Sequence, residues 1–343
     1  MWTRGKPPWP RAFYMWGAPC AGWAGWTTGT PFWTRTPWSG SGGITVFAKQ
    51  AVLPLWDVEL TLLDTPGHVD FSSEMERTLQ VLDGALLVVS GTDGVQSHTR
   101  TLWRLLQRYQ VPTFVFVNKM DLAGADKTRV LEELGKLDGG FVDFTAPDSE
   151  RDEAAAMCSE EALEEFLETG AVSEAALARL TGERKLFPCW FGSALKLEGV
   201  EELLSGLETG LPEKKYPRDF GARVFKISRD SQGARLTWLK VTGGALRPKE
   251  LIGGGAGEER WEEKVDQLRL YSGEKFRTLE EAPAGTGCAV TRLSRTYPGQ
   301  GLGAEEDGVR PVLEPVLSYQ LILPQGTDPN TVLPKLRQLE EED

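Results

Sequence analysis

Two short runs of residues have the types and spacing of a nucleotide site. Residues 64–68 read Asp64-Thr65-Pro66-Gly67-His68, and residues 118–121 read Asn118-Lys119-Met120-Asp121. In the first run the Asp64 carboxylate can hold magnesium through water, and the Gly67 amide can donate to the outermost phosphate of a nucleoside triphosphate. His68 then stands beside the water that would attack that phosphate, with Thr65 and Pro66 as contacts within the same turn. In the second run Asp121 can accept from both N1–H and the exocyclic amine of guanine, a pair of donors that adenine lacks. Asn118 would tie this loop to a phosphate-binding loop, the Lys119 stem would cover the base, and Met120 completes the contact. A third run, Gly192-Ser193-Ala194-Leu195, has small residues that let backbone N–H groups approach the guanine oxygen.

The flanking sequence supplies the elements that would position these groups. Val58 to Asp64 reads as a buried strand ending in a carboxylate, and Pro66 and Gly67 turn the chain away from it. Gly84 to Ser90 and Thr113 to Val117 read as two more buried strands. Between those two, Gln96 to Gln110 has helical spacing, with Leu102, Leu105 and Leu106 on one face. This βαβ rhythm implies a parallel sheet, and open α/β sheets bind ligands at the carboxyl ends of their strands. Leu186 to Phe191 reads as a fourth strand leading into Ser193. From Phe220 to about Leu302, short runs such as Ala222 to Ile227 alternate with Gly-rich turns, the pattern of an all-β barrel.

Composition narrows the class. A net charge of −12 argues against a protein that coats nucleic acid, although a local basic face is compatible with it. Cys20, Cys158, Cys189 and Cys288 are far apart with no CxxC pair, so neither a zinc site nor a disulfide framework is expected, and a reducing cytosol fits. No apolar run approaches the roughly 18 residues that a membrane-spanning helix needs.

Residues 1–42 are unlike the rest. They contain no Leu, Ile, Val, Asp or Glu, but seven of the chain's twelve Trp, six Pro and seven Gly. The apolar positions follow neither helical nor strand period, so no element is expected there. Such a stretch could be a disordered arm, an aromatic stacking platform, or the right gene translated in the wrong frame. For the last, reading from the third base of Met1 forces Val-Asp at Met1-Trp2-Thr3, Val-Gly at Met15-Trp16-Gly17 and Leu-Asp at Phe32-Trp33-Thr34. Permissive codons elsewhere give Val-Asp-Ala-Gly-Lys-Thr, the end of a phosphate-binding loop, with the frame restored near residues 40 to 43. The Gly5-Lys6 dipeptide is not such a loop, because Pro7 and Pro8 replace the hydroxyl residue that would bind magnesium.

Together these residues resemble the elongation factor G family of translational GTPases, most closely its tetracycline-resistance ribosomal protection proteins, from Gly43 to Asp343. The resemblance implies a P-loop GTPase-type, mostly parallel α/β sheet with flanking helices over residues 43–212, interrupted by a helical insertion at about 122–185. It implies a translation-factor β-barrel over 213–305 and the truncated start of a ferredoxin-like domain over 306–343, after a non-native or disordered segment 1–42. Gly43-Ile44-Thr45 matches the family's first switch, so Thr45 joins Asp64 as a magnesium ligand, and His68 matches the histidine that positions the hydrolytic water. The implied cofactors are GTP or GDP with Mg²⁺. The implied partner is the ribosome, through its sarcin–ricin loop and small subunit, for a cytoplasmic monomer without membrane attachment. Lacking the phosphate loop, the chain as written is expected to bind and hydrolyse GTP poorly; the alternative is an inactive remnant or ribosome-binding module.

Overall fold

The apolar runs become strands of one sheet because their β-branched and aromatic residues are buried on both faces. The structure, a computed structural model, describes residues 9–16, 49–55, 58–64, 72–211, 213–255, 260–273, 275–309, 311–312, 320, 322–323 and 328–342. The chain divides into two units, residues 1–69 with 82–214, and residues 70–81 with 215–343.

In chain order the first part runs β1 (Trp9–Trp16), β2 (Lys49–Leu55), β3 (Val58–Asp64), α1 (Ser72–Leu79), β4 (Gly84–Ser90), α2 (Ser97–Arg108) and β5 (Thr113–Asn118). It continues with α3 (Lys127–Gly135), β6 (Phe141–Asp143), α4 (Asp148–Ala156), α5 (Glu160–Thr169), α6 (Glu174–Gly182), β7 (Phe187–Phe191) and α7 (Val200–Thr209). All of these except α1 build the first unit. Its sheet has the order β2-β3-β1-β4-β5-β7-β6, parallel except for β2, which runs antiparallel to β3. Phe114, Phe116 and Trp190 pack with Leu203, Leu204 and Leu207 of α7 in one core.

The expectation that no element passes through residues 1–42 is corrected by β1. It lies between β3 and β4 and is paired in parallel with both, Phe13 with Leu62 and with Gly84. Trp, Tyr and Phe favour strands, and a slot with a ladder on each side overrides the missing period. In the shifted frame the Ala-Gly-Lys-Thr loop falls ahead of β1, whereas the sheet order places the ligand-facing loop after it. Residues 17–48 lie outside the described residues.

The acidic insertion folds as helices, as its composition suggests. Ser159 caps α5 by accepting from the Ala162 amide and Ser173 caps α6 by accepting from Ala176, each worth about 1 kcal/mol. Its helices enclose a small core of their own, including Ala155, Ala162, Leu177 and Leu180. Its charges are not all on a solvated face. Asp152 is buried and accepts from Arg151 Nε at 2.9 Å and from the Val172 amide at 3.3 Å.

The second unit follows with β8 (Gly221–Arg229), β9 (Arg235–Gly243), β10 (Ala245–Leu246), β11 (Leu251–Gly254), β12 (Trp261–Lys264), β13 (Leu268–Ser272), β14 (Lys275–Leu279), β15 (Ala282–Pro283), β16 (Gly287–Thr291), β17 (Gly301–Gly303) and α8 (Pro329–Glu342). Six strands form an antiparallel sheet in the order β14-β13-β16-β9-β8-β17, with β10–β15 and β11–β12 as small ladders. All enclose one apolar core that includes Val224, Leu239, Trp261, Leu268 and Val290, which is how the expected barrel is built. The strand anticipated near residues 318–323 lies largely outside the described residues, while the helix after it is present as α8.

Residues 70–81 group with this unit although the sequence assigns them to the GTPase domain. The buried Glu76 carboxylate accepts from the Val312 amide at 2.9 Å, and Gln80 Nε2 donates to the Val309 carbonyl at 2.8 Å. Arg223 Nη1 donates to Gln80 Oε1 at 3.3 Å. Among the described residues no helix is long and apolar enough to cross a membrane.

Candidate functional site

Three chain segments leave the carboxyl edge of the parallel sheet with the residues singled out by sequence. β3 ends in Asp64, β5 ends in Asn118, and β7 runs into Gly192 and Ser193. In the sheet β3 and β5 are separated by β1 and β4, three spacings of about 4.8 Å or roughly 14 Å in all. A nucleoside triphosphate laid along this edge would have its base at β5 and its phosphates toward β1 and β3. The order of the strands reverses at β1, where open α/β sheets form their ligand crevice.

The base end is fastened by backbone bonds. Asn118 is buried, and its Oδ1 accepts from the Lys119 amide at 2.8 Å and from the Ala194 amide at 2.9 Å. The expected tie from Asn118 to a phosphate loop is thus, among the described residues, a tie to the Ser193-Ala194 loop. The Ala194 amide, one of the N–H groups of the run expected near the guanine oxygen, makes this bond here. The Met120 amide donates to the Gly192 carbonyl and the Gly192 amide to the Val117 carbonyl, both at 3.0 Å. Lys119 sits at φ 66°, a left-handed conformation that costs about 1 kcal/mol or more in a residue with a side chain. Leu195 is three-quarters exposed and available to cover a base.

Two glycines are required here by space. A Cβ on Gly192 would lie 2.0 Å from the Glu198 carbonyl oxygen, and one on Gly91 would lie 2.6 Å from Met120 Sδ. Gly91 is the residue after β4, and its amide donates to the Asn118 carbonyl at 2.8 Å.

Asp121 is the group that would read guanine, and its surroundings keep it an acceptor. A hydrogen bond from the buried Ser193 hydroxyl is the main reason its carboxyl is held below the usual range, and the charge of Lys196 adds to it. Lys196 Nζ stands 3.5 Å from Asp121 Oδ2. Ser193 was singled out within a run of small residues; in the structure its hydroxyl also bonds the Asp121 carboxylate. Lys196 was not singled out, and neither was Arg129 of α3, whose Nη2 donates to the Gly91 carbonyl at 3.1 Å and to the Thr92 carbonyl at 2.6 Å. No local pattern marks either residue, since each acts on a segment distant in sequence.

On the phosphate side Asp64 is half-buried, in register with Met15 of β1 and Lys49 of β2. Thr45, Thr65, Pro66, Gly67 and His68 lie outside the described residues. Among the described residues no group of three or more His, Cys, Asp or Glu converges as a metal site. A strand-end carboxylate such as Asp64 would suit Mg²⁺, which keeps several waters and takes phosphate oxygens as ligands.

A family model described as the elongation factor Tu GTP binding domain matches residues 33–213, beginning inside the tryptophan-rich stretch. The chain is 36% identical over 239 residues to an oxytetracycline resistance protein of Streptomyces rimosus, a match covering 61% of this chain and 36% of that protein. It is 36% identical over 241 residues to the tetracycline resistance protein TetM of Streptomyces lividans, covering 61% of this chain and 37% of that one. The chain thus matches little more than a third of the length of these curated relatives. A crystal structure of a Thermus thermophilus protein shares the fold, with a TM-score of 0.79 at 24% identity over 98% of this chain and 61% of the other. With an elongation factor Tu GTP binding domain matched over more than half of its length, this chain belongs to the elongation factor G-like translational GTPases.

Proposed function

We propose that this chain is the nucleotide-binding part of a translation factor that binds GTP with Mg²⁺ and hydrolyses it on the ribosome. The observation that supports this reading best is Asp121, which follows β5 and whose carboxylate, held below its usual range by the Ser193 hydroxyl, would accept from the two adjacent donors of guanine. Asp64 with Thr45 would hold Mg²⁺, which on binding would spread the negative charge that develops at the transferred phosphate. The Gly67 amide would meet the outermost phosphate, and His68 would orient the attacking water. Tetracycline resistance, named for both curated relatives, extends the same reading to displacement of a drug from the ribosome. A cytoplasmic place follows from that partner.

The two halves of the site have separate roles in this account. Asp121 and Ser193 set which base binds, while the residues after β1 set how tightly the phosphates are held. The sequence after Trp16 reads Gly17-Ala18-Pro19-Cys20, without the lysine and hydroxyl residue of a phosphate loop. Guanine selectivity is therefore expected at low affinity. The test is phosphate release from GTP with and without ribosomes at saturating nucleotide. Stimulation by ribosomes that is lost in His68→Ala supports the proposal; guanine-selective binding with no effect of ribosomes would overturn its ribosomal part.

A further inference from the structure

At the turn between β8 and β9 two arginines face each other across the ladder. Arg229 closes β8, Arg235 opens β9, and they are direct cross-strand partners. Like charges placed opposite each other oppose strand pairing, so the pair needs an anion between them. Both are held in position by other bonds. Arg235 Nη1 donates to Thr296 Oγ1 at 2.8 Å and to the Leu293 carbonyl, and its Nη2 donates to the Thr296 carbonyl. Arg229 Nη1 donates to the Gly233 carbonyl at 3.3 Å. The neighbouring acid, Asp230, is already engaged by Arg269 at 3.1 Å and by the Gln232 and Ala234 amides.

The anion now present belongs to the chain itself. Glu341 Oε2 of α8 lies 3.1 Å from Arg229 Nη2 and 3.5 Å from Arg235 Nε, and Glu342 Oε1 lies 3.7 Å from Arg229 Nε. These carboxylates satisfy the arginines only in part: Arg229 Nη2 donates to Glu341 Oε2, while the buried Nε atoms of Arg229 and Arg235 face carboxylate oxygens at 3.7 Å and 3.5 Å without a well-formed hydrogen bond. The helix that brings the carboxylates is lightly held. None of its described residues is buried, and Leu333, Leu336 and Leu339 are 48%, 41% and 57% exposed. Of the paired side chains Glu341 is 49% exposed, so solvent screens its contribution, whereas Glu342, Arg229 and Arg235 are 18%, 27% and 15% exposed.

We infer that Arg229 and Arg235 form a phosphate-binding cradle, occupied in this structure by the acidic end of α8 as a displaceable stand-in. A tetrahedral phosphate offers more acceptor oxygens than a carboxylate. It could take Nε and Nη2 of Arg229 as a fork, replacing the bond that Nη2 now gives Glu341, while reaching Arg235 Nε. The group could come from a polynucleotide backbone or from free phosphate, and both would require the end of α8 to leave. The cradle lies within the second unit, so it stands or falls independently of the nucleotide site.

The test uses the full chain and the double variant E341Q/E342Q, with inorganic phosphate and an oligouridylate as separate probes at low salt. The variant is expected to bind at least one probe about tenfold more tightly than the parent chain, and adding R229Q should remove the gain. A gain for the oligonucleotide alone identifies a polynucleotide backbone as the source, and a gain for inorganic phosphate identifies a free anion. A charge-matched control, E164Q/E165Q on α5, should leave both affinities unchanged. No gain with either probe, a gain that survives R229Q, or an equal gain in the control would overturn the inference.

Discussion

β5 and β1 are both interior strands of the same parallel sheet, and they differ in almost everything their sequences supply. β5 reads Thr-Phe-Val-Phe-Val-Asn, all six residues buried, and delivers Asn118 to Asp121 at its carboxyl end. β1 reads Trp-Pro-Arg-Ala-Phe-Tyr-Met-Trp and delivers Gly17-Ala18-Pro19. Neighbouring ladders can recruit a poor sequence into a strand, because the hydrogen bonds come from the backbone. They cannot supply the chemistry that follows the strand, which depends on side-chain identity. In the proposed reading, base recognition is therefore expected after β5, while the run after β1 lacks the lysine of a phosphate loop.

The largest expected effect comes from repairing that difference. Grafting Gly-x-x-x-x-Gly-Lys-Thr immediately after Trp16 should raise Mg²⁺-dependent GDP affinity at least about a thousandfold, since several hydrogen bonds to charged phosphate are added. Titration calorimetry would measure it, and an unchanged affinity would mean that β1 does not lead into the phosphate site. Next, Asp121→Asn should cost guanine nucleotides about a hundredfold and favour xanthine nucleotides, whose C2 carbonyl can accept from the amide. Competition binding would show the exchange of preference. Placing proline at Tyr14, which β1 pairs on both sides, should destabilise the first unit by about 3 kcal/mol if the strand is as described. Gly192→Ala should cost about 1–3 kcal/mol by forcing the Glu198 carbonyl away, read as a lower urea midpoint. The smallest effect is on pH dependence. Because the Asp121 carboxyl is held below its ordinary value, guanine selectivity should persist as the pH falls through the ordinary carboxylate range and disappear only below it. Ser193→Ala should move that loss to higher pH.

What could be read from sequence follows the same division. β3, β4 and β5 were legible because continuous apolar runs ending in polar residues mark buried parallel strands. Asp121 was legible because its motif directly follows such a run. β1 was hidden because its partners, rather than its period, make it a strand. The three residues of β6 are too few to show any period, and they join the sheet through β7. The attachment of α1 to the second unit depends on Glu76 and Gln80 meeting Val312 and Val309, contacts across more than two hundred residues that no local pattern announces. Ser193 was legible only as one of a run of small residues, and the bond from its hydroxyl to Asp121 is an addition no local pattern announces.

The central claim is that this chain distinguishes guanine through Asp121 whatever the strength of its phosphate contacts. The most direct measurement is competition among GDP, ADP and XDP for the unmodified full chain, followed by saturation-transfer NMR at millimolar nucleotide, where weak binding is visible. The account predicts that GDP displaces ADP and XDP by a wide margin, and that Asp121→Asn reverses the order of GDP and XDP. Equal competition by all three nucleotides, or an order unchanged by the substitution, would contradict it.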